Sequence, residues 1–192
     1  MIDPSLLHEL LLPETDLERF LLQQPEVVEG MSWGSPRFGH PEGEVYRHVR
    51  EVLDNVDRLQ DVSAACRVDL RLVTLLHDTF KYKEDKSEPR DWSQHHGILA
   101  RRFARRYIRT PRVLELIEWH DEAYYCWRLD QLYRKPSRSR QRIDALLDRF
   151  EDQTQFYYDF FWCDTRTGDK TQRPLTWFSQ QIETTLNAKL ER

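Results

Sequence analysis

The apolar residues of this chain recur with a helical rather than a strand period in almost every segment, and that commits the fold to helices. Between residues 44 and 60, Val45, Val49, Val52, Leu53, Val56 and Leu59 form one stripe; between 69 and 81, Leu70, Val73 and Leu76 do the same. Residues 96–108 carry Leu99, Ala100, Phe103, Ala104 and Tyr107 on one side, and Pro111 opens a segment with Val113, Leu114, Leu116 and Ile117. Helices are also expected over 140–150, 154–164 and 174–190, with a short helical pair over 4–12 and 14–23. Polar, Gly- or Pro-containing connections at 30–43, 83–92 and 134–139 separate these pieces. Only 6 of 192 residues are glycine, as suits few tight turns. The expectation is all-α: a compact bundle of about seven to nine helices.

A chain this long buries roughly 70% of its unfolded surface, so it needs neither disulfides nor a structural metal to hold a core. One domain over residues 1–192 is expected, with a core at 37–168, an N-terminal helical pair and a closing helix. Cys66, Cys126 and Cys163 are odd in number and widely spaced, which suits reduced core residues. The net charge of −4 argues against a protein whose main task is coating nucleic acid. No run approaches the roughly 20 apolar residues of a membrane span, and Met-Ile-Asp-Pro lacks the character of a signal peptide. The expectation is a cytoplasmic protein with no membrane partner, its oligomeric state left open.

Several ionisable residues fall on the apolar stripes. His48 lies three residues after Val45 and four before Val52; His77, with Asp78 beside it, follows Val73 by four. His96 precedes Leu99 and Ala100 by three and four, His120 follows Leu116 and Ile117, and Asp164 follows Phe160 and Phe161 at the same spacings. Any one histidine alone reads as a core residue bonded to backbone. A buried carboxylate, however, costs several kcal/mol unless paired or bound to a cation. Five helices pointing such groups inward make sense around a divalent ion, and a mixed His and Asp set favours an ion with open positions for water.

His48, the adjacent His77-Asp78 and the distant Asp164 resemble the signature of the HD superfamily of metal-dependent phosphohydrolases, across roughly residues 37–168. Leu75-Leu76-His77-Asp78-Thr79-Phe80-Lys81 is similar to that family's leucine, leucine, His, Asp, two residues, Lys run. The segment Gly39-His40-Pro41-Glu42-Gly43-Glu44-Val45, followed by His48 and Leu53-Asp54, resembles the opening of the HD domain attached to bacterial tRNA nucleotidyltransferases. The resemblance implies an all-helical bundle in which His48, His77, Asp78 and Asp164 hold a divalent metal. His96 and His120 fall where binuclear members have further histidines, and are expected to bind a second ion or to position water and phosphate. The sequence departs from the pattern at His120-Asp121, where some members have two histidines. It also lacks the Gly-Tyr-Pro segment of cyclic-di-GMP phosphodiesterases, and Phe80-Lys81 replaces the Glu-Asp pair of guanosine-tetraphosphate hydrolases.

One or two ions are expected, with Mn, Co, Ni, Fe, Zn and Mg unresolved, and a metal in such a place lowers the pKa of bound water toward neutrality. Asp78 and Lys81 are the expected catalytic residues. Lys81, four residues after His77, either reaches a phosphoryl oxygen or leaving group or extends to solvent at a helix end; the resemblance favours the former. Arg37, in the Gly- and Pro-containing loop, is a candidate phosphate contact and His40 a weaker one, whereas His8 and His95 read as structural or surface residues. Arg101, Arg102, Arg105, Arg106 and Arg109, with a second basic patch at 134–142, either track a phosphodiester backbone or form solvated faces paired with acidic residues. Of Phe156, Tyr157, Tyr158, Phe160, Phe161 and Trp162, at most one is expected to touch ligand. The expected function is hydrolysis of a phosphomonoester or 2',3'-cyclic phosphodiester of a nucleotide, another small phosphate ester or an RNA or DNA end. The alternative is a non-catalytic, metal-containing nucleotide or RNA sensor.

Overall fold

The computed structural model describes residues 2–190, so residues 1, 191 and 192 of the expected domain lie outside the described residues. Eleven α-helices follow one another: α1 (Pro4–Leu11), α2 (Asp16–Leu21), α3 (Pro25–Met31), α4 (Val45–Asp57), α5 (Ala64–Leu76), α6 (His96–Ala104), α7 (Pro111–Trp119), α8 (Glu122–Trp127), α9 (Pro136–Arg149), α10 (Thr154–Thr165) and α11 (Arg173–Leu190). No strand occurs among the described residues, only a bridge between Arg37 and His40. The all-α bundle is as expected, and each of nine expected segments holds one helix. The additional helices are α3, of seven residues, which ends inside the expected connection at 30–43, and α8, of six, which follows α7 after only His120 and Asp121.

Helix starts follow local chemistry. Asp3, Thr15 and Ser63 accept hydrogen bonds from the backbone N–H of Ser5, Glu18 and Cys66, and prolines open α1, α3, α7 and α9. Ser63 moves the start of α5 five residues ahead of the expected Asp69, and Pro136 turns most of the expected connection at 134–139 into helix. Gly30, expected in a connection, lies inside α3. A Cβ there would stand 1.7 Å from the Thr79 carbonyl oxygen, so this glycine serves close packing rather than a turn.

Buried apolar residues from all eleven helices form one continuous core, Leu53, Leu76, Leu116, Phe160 and Phe178 among them. Removing most of such a side chain costs about 2–5 kcal/mol. Cys126 and Cys163 are buried free thiols, and Cys66 is half-buried. The fully buried Arg71 of α5 donates to both oxygens of Glu18 and to the Leu12 carbonyl, locking α1 and α2 onto α5. Among the described residues no helix is long and apolar enough to cross a membrane.

Candidate metal centre

The expected ligands come from helix ends and middles that tertiary contacts hold in register. His48 sits within α4, and Asn55, two turns further on, donates to the Cys163 and Arg166 carbonyls at 2.9 and 3.0 Å. That bond pair fixes the end of α10, which carries Asp164. Helix α5 stops at Leu76: His77 is its cap and Asp78 lies in the following turn, where the Thr79 hydroxyl takes the Leu75 carbonyl at 2.7 Å. Lys81 therefore does not share a helical face with His77, as its spacing suggested. It stands in a 3-10 turn, Lys81–Lys83, and reaches Asp78 Oδ2 at 2.5 Å. His96 opens α6, while His120 caps α7 just before Asp121. The Tyr157 hydroxyl, 2.8 Å from the Trp119 carbonyl and accepting from Ala123 N–H, bolts α10 to that corner.

The imidazoles are oriented from behind, as metal-ligating histidines usually are. His77 and His120 direct Nδ1 to the carbonyls of Thr74 and Ile117, both at 2.9 Å, and His96 Nδ1 lies 3.1 Å from Glu84 Oε2. His48 Nδ1 faces Glu42 Oε1 across 3.3 Å, outside hydrogen-bond alignment. Each Nε2 is thus turned toward the interior. His48 Nε2 and His77 Nε2 are buried with no aligned hydrogen-bond partner, a costly condition unless a cation accepts their lone pairs.

The inward atoms form two donor groups. In the first, His48 Nε2 lies 2.9 Å from Asp164 Oδ1 and 3.8 Å from Asp78 Oδ2, and His77 Nε2 lies 3.6 and 3.9 Å from Asp78 Oδ2 and Asp164 Oδ1. In the second, His96 Nε2 and His120 Nε2 are 3.2 Å apart, each is 3.5 Å from Asp78 Oδ1, and they are 3.4 and 3.6 Å from Asp121 Oδ2. An octahedral ion with bonds near ~2.1 Å keeps its ligands about 3.0 to 4.2 Å apart, and these separations, 2.9 to 3.9 Å in the first group and 3.2 to 3.6 Å in the second, lie in or close to that span. With Nδ1 of His120 on a carbonyl and that of His96 on a carboxylate, the two facing Nε2 atoms both present lone pairs. Such a contact needs a proton or a cation between them.

Charge makes the same demand. Burial would raise the pKa of Asp78 and Asp164, but Lys81 and His77 for the first, and Lys170 and His48 for the second, hold both well below the usual range. Asp121 is lowered against its burial by His120 and His96. Burial pushes His77 down to about 3. For His120 burial is outweighed by Asp121 and Asp78, which lift it to about 9: without metal, a proton fills the gap. Lys81 rises because Asp78 and Asp121 outweigh its burial. Three ionised carboxylates face two ammonium groups and the protonated His120, so without metal their charges cancel, and divalent ions in the place of that proton would make the space positive and receptive to an anion.

A cavity of about 220 Å³ opens onto the centre, touching Asp78, Lys81, His120, Asp121, Asp164 and Lys170, and also lined by Phe38, Gly39 and His40. Arg37 is not brought into it. The bridge between Arg37 and His40 turns the Arg37 guanidinium away, over the Trp33 ring at 5.9 Å. His40 is brought in, its Nδ1 2.9 Å from Glu42 Oε1, and burial followed by the nearby lysines lowers it to about 4. Of the six aromatics on α10, Phe161 lines the cavity, and Phe160 packs edge-on against His77 at 5.2 Å.

Spacing did not reveal Lys170, whose Nζ donates to Asp164 Oδ1 at 2.9 Å, nor Glu42, Glu84 and Asp121. His95 is buried, accepts from Gly97 N–H and meets the Tyr125 hydroxyl at 3.2 Å; His8 Nε2 lies 3.1 Å from the Arg19 carbonyl. On the basic faces Arg101 pairs with Glu118, Arg106 with Glu26 and Arg142 with Glu122.

A family model described as HD domain matches residues 45–152, more than half of the chain. No curated protein and no solved structure matches. The matched segment contains both donor groups except for Asp164.

Proposed function

The chain belongs to the HD domain family, whose members are generally metal-dependent hydrolases, and on that premise we propose that it hydrolyses phosphate esters of nucleotides with two divalent ions. The observation that carries the reading is Asp78, which offers Oδ2 to one donor group and Oδ1 to the other, as a carboxylate bridging two ions does. Divalent ions, when bound there, supply Lewis-acid polarisation of a phosphoryl oxygen and acidify a coordinated water. His48, His77, Asp78 and Asp164 would hold the first, and Asp78, His96, His120 and Asp121 the second.

The protein's own groups supply the rest. Lys81 and Lys170 stand on the cavity wall; Lys81 donates to Asp78 Oδ2 and Lys170 to the backbone carbonyl and Oδ1 of Asp164, and each keeps at least one donor for a phosphoryl oxygen. Each therefore fixes a metal ligand and stabilises negative charge on the transferring group. Glu84 holds His96 by a hydrogen bond to Nδ1, and Glu42 stands 3.3 Å behind His48 Nδ1, so that both Nε2 atoms stay inward. His40, lowered to about 4 and so neutral at physiological pH, lines the cavity as a group able to hydrogen-bond a substrate oxygen.

The test combines metal analysis with turnover. Purified protein is expected to carry two equivalents of divalent metal and to hydrolyse an aryl phosphate, nucleoside monophosphates or 2',3'-cyclic nucleotides with manganese, cobalt, nickel or magnesium. The resemblance of residues 39–54 to the HD domain of tRNA nucleotidyltransferases puts the cyclic phosphates and RNA ends on that panel. Turnover unchanged in His77→Ala overturns the reading. Tight metal-dependent nucleotide binding with no product across the panel favours a sensor instead.

A further inference from the structure

The cavity is lined by two unlike sets of groups: the carboxylates, His120 and the two lysines on one hand, and Phe38, Tyr124, Phe161 and Pro174 on the other, of which Phe38 and Tyr124 reach solvent. Phe38 is 89% exposed, yet it is neither loose nor remote. It occupies the corner of a turn closed by the backbone hydrogen bonds Arg37 N–H to His40 carbonyl at 3.0 Å and His40 N–H to Arg37 carbonyl at 2.8 Å. Gly39 takes the φ of +83° that this turn requires, and its N–H donates to Asp169 at 2.7 Å. The ring is thereby held out at the cavity rim, stacked on no other ring of the described residues. Tyr124, 37% exposed, also lines the cavity and is supported from below by Trp127, with ring centroids 5.6 Å apart and planes 25° apart.

We infer that Phe38 and Tyr124 hold the planar ring of the ester's organic group by its faces, so that the site selects nucleoside and aryl phosphates with little regard to which base they carry. This rests on the proposed reading of the metal centre as a phosphate site. The indifference to base follows from the same lining. Among the described residues around the cavity only Thr165 and Thr171 bring neutral side-chain hydrogen-bonding groups apart from the tyrosine and histidines; there is no amide and no guanidinium to read a base edge. Every base has a π-face, so stacking discriminates ring from no ring rather than base from base.

The experiment measures adenosine, guanosine, cytidine and uridine 5'-monophosphates against ribose 5-phosphate, which carries the same phosphate and sugar without a base. Binding to the manganese-loaded protein is followed by calorimetry, read as Kd where the ligand survives and as KM where it is consumed. The nucleotides are expected to be favoured about tenfold or more, the effect of one base–aromatic stack, and to lie within about threefold of one another. Phe38→Ala is expected to shrink the ratio of nucleotide to ribose phosphate about tenfold, Phe38→Trp to keep it, and Tyr124→Ala to reduce it. Because Phe38 lies outside the core, its replacement leaves the fold intact. Equal affinity for nucleotide and ribose phosphate, or an unchanged ratio in Phe38→Ala, overturns the inference. Preference for the nucleotides over ribose 5-phosphate without turnover removes the hydrolase reading alone, hydrolysis of every ester with no preference removes the aromatic contact alone, and no binding of any phosphate removes both.

Discussion

Asp78 illustrates how much a single residue carries here, since one oxygen serves each donor group while Lys81 also rests on Oδ2. Residues one layer out act on the same atoms. Glu42 faces both His40 and His48, and its own carboxyl, although raised by burial, is drawn down to about 2 by those contacts and by backbone hydrogen bonding. Glu42→Gln is expected to weaken manganese affinity about 10–100-fold while leaving the helical content intact, as measured by metal titration and circular dichroism. Lys170 touches a ligand and faces the cavity. Lys170→Ala is expected to lower kcat/KM for a phosphate ester about a hundredfold, with Lys170→Arg recovering part of the loss; activity equal to wild type removes Lys170 from the phosphate site.

Helix packing decides whether the two donor groups form at all. Helices α6 and α7 meet so closely at Gly97 that a Cβ there would lie 2.6 Å from the Glu118 carbonyl oxygen and 3.0 Å from that of Ile117, which also holds His120 Nδ1. Gly97→Ala is expected to destabilise the protein by about 1–3 kcal/mol and to reduce bound metal from two equivalents toward one, the ion at His48 and His77 being retained. Denaturant unfolding and metal analysis of the same sample check both halves. This contact also marks where periodicity stops being informative. His48, His96 and Asp164 lie on helices with an apolar stripe, so their inward direction was legible in the spacing, as was the helical class of the chain. Asp121 follows the cap of α7, Lys81 and Glu84 come after α5 has stopped, and Lys170 and Glu42 stand in loops. Their directions are set by turns and by partners distant in sequence, such as Gly39 N–H on Asp169, which no helical period encodes. Arg37 is the converse case: its type suited a phosphate, and a local backbone bridge sent it elsewhere.

Across the whole molecule the buried histidines tie stability to pH in the absence of metal. Burial holds His40 and His95 at about 4 and His77 at about 3, whereas in the unfolded chain all three take up protons near 6.5. The unfolded state then binds more protons, so their contribution is complete above pH 6.5 and is lost as pH falls from there toward 4 and 3. Glu42 and Glu84, both drawn to about 2, add stability above about 4.5 that disappears between 4.5 and 2. His120, raised to about 9, contributes below 6.5 and loses that contribution as pH climbs toward 9. Chelated protein is therefore expected to show its highest Tm near neutrality, with falls on both sides; manganese, taking the place of the His120 proton, is expected to abolish the alkaline fall. Tm flat from pH 4 to 9 without metal contradicts this account. The Gly97 contact has one more consequence for the molecule. Because the close backbone approach at Gly97 fixes the helices that carry His96 and His120, and each ring is held at Nδ1 from behind, that pair is stiff, and a stiff pair sorts ions by radius. Ions that bond at about 2.0–2.2 Å suit it, whereas calcium, which needs about 2.3–2.6 Å and more ligands, would have to pry two helices apart.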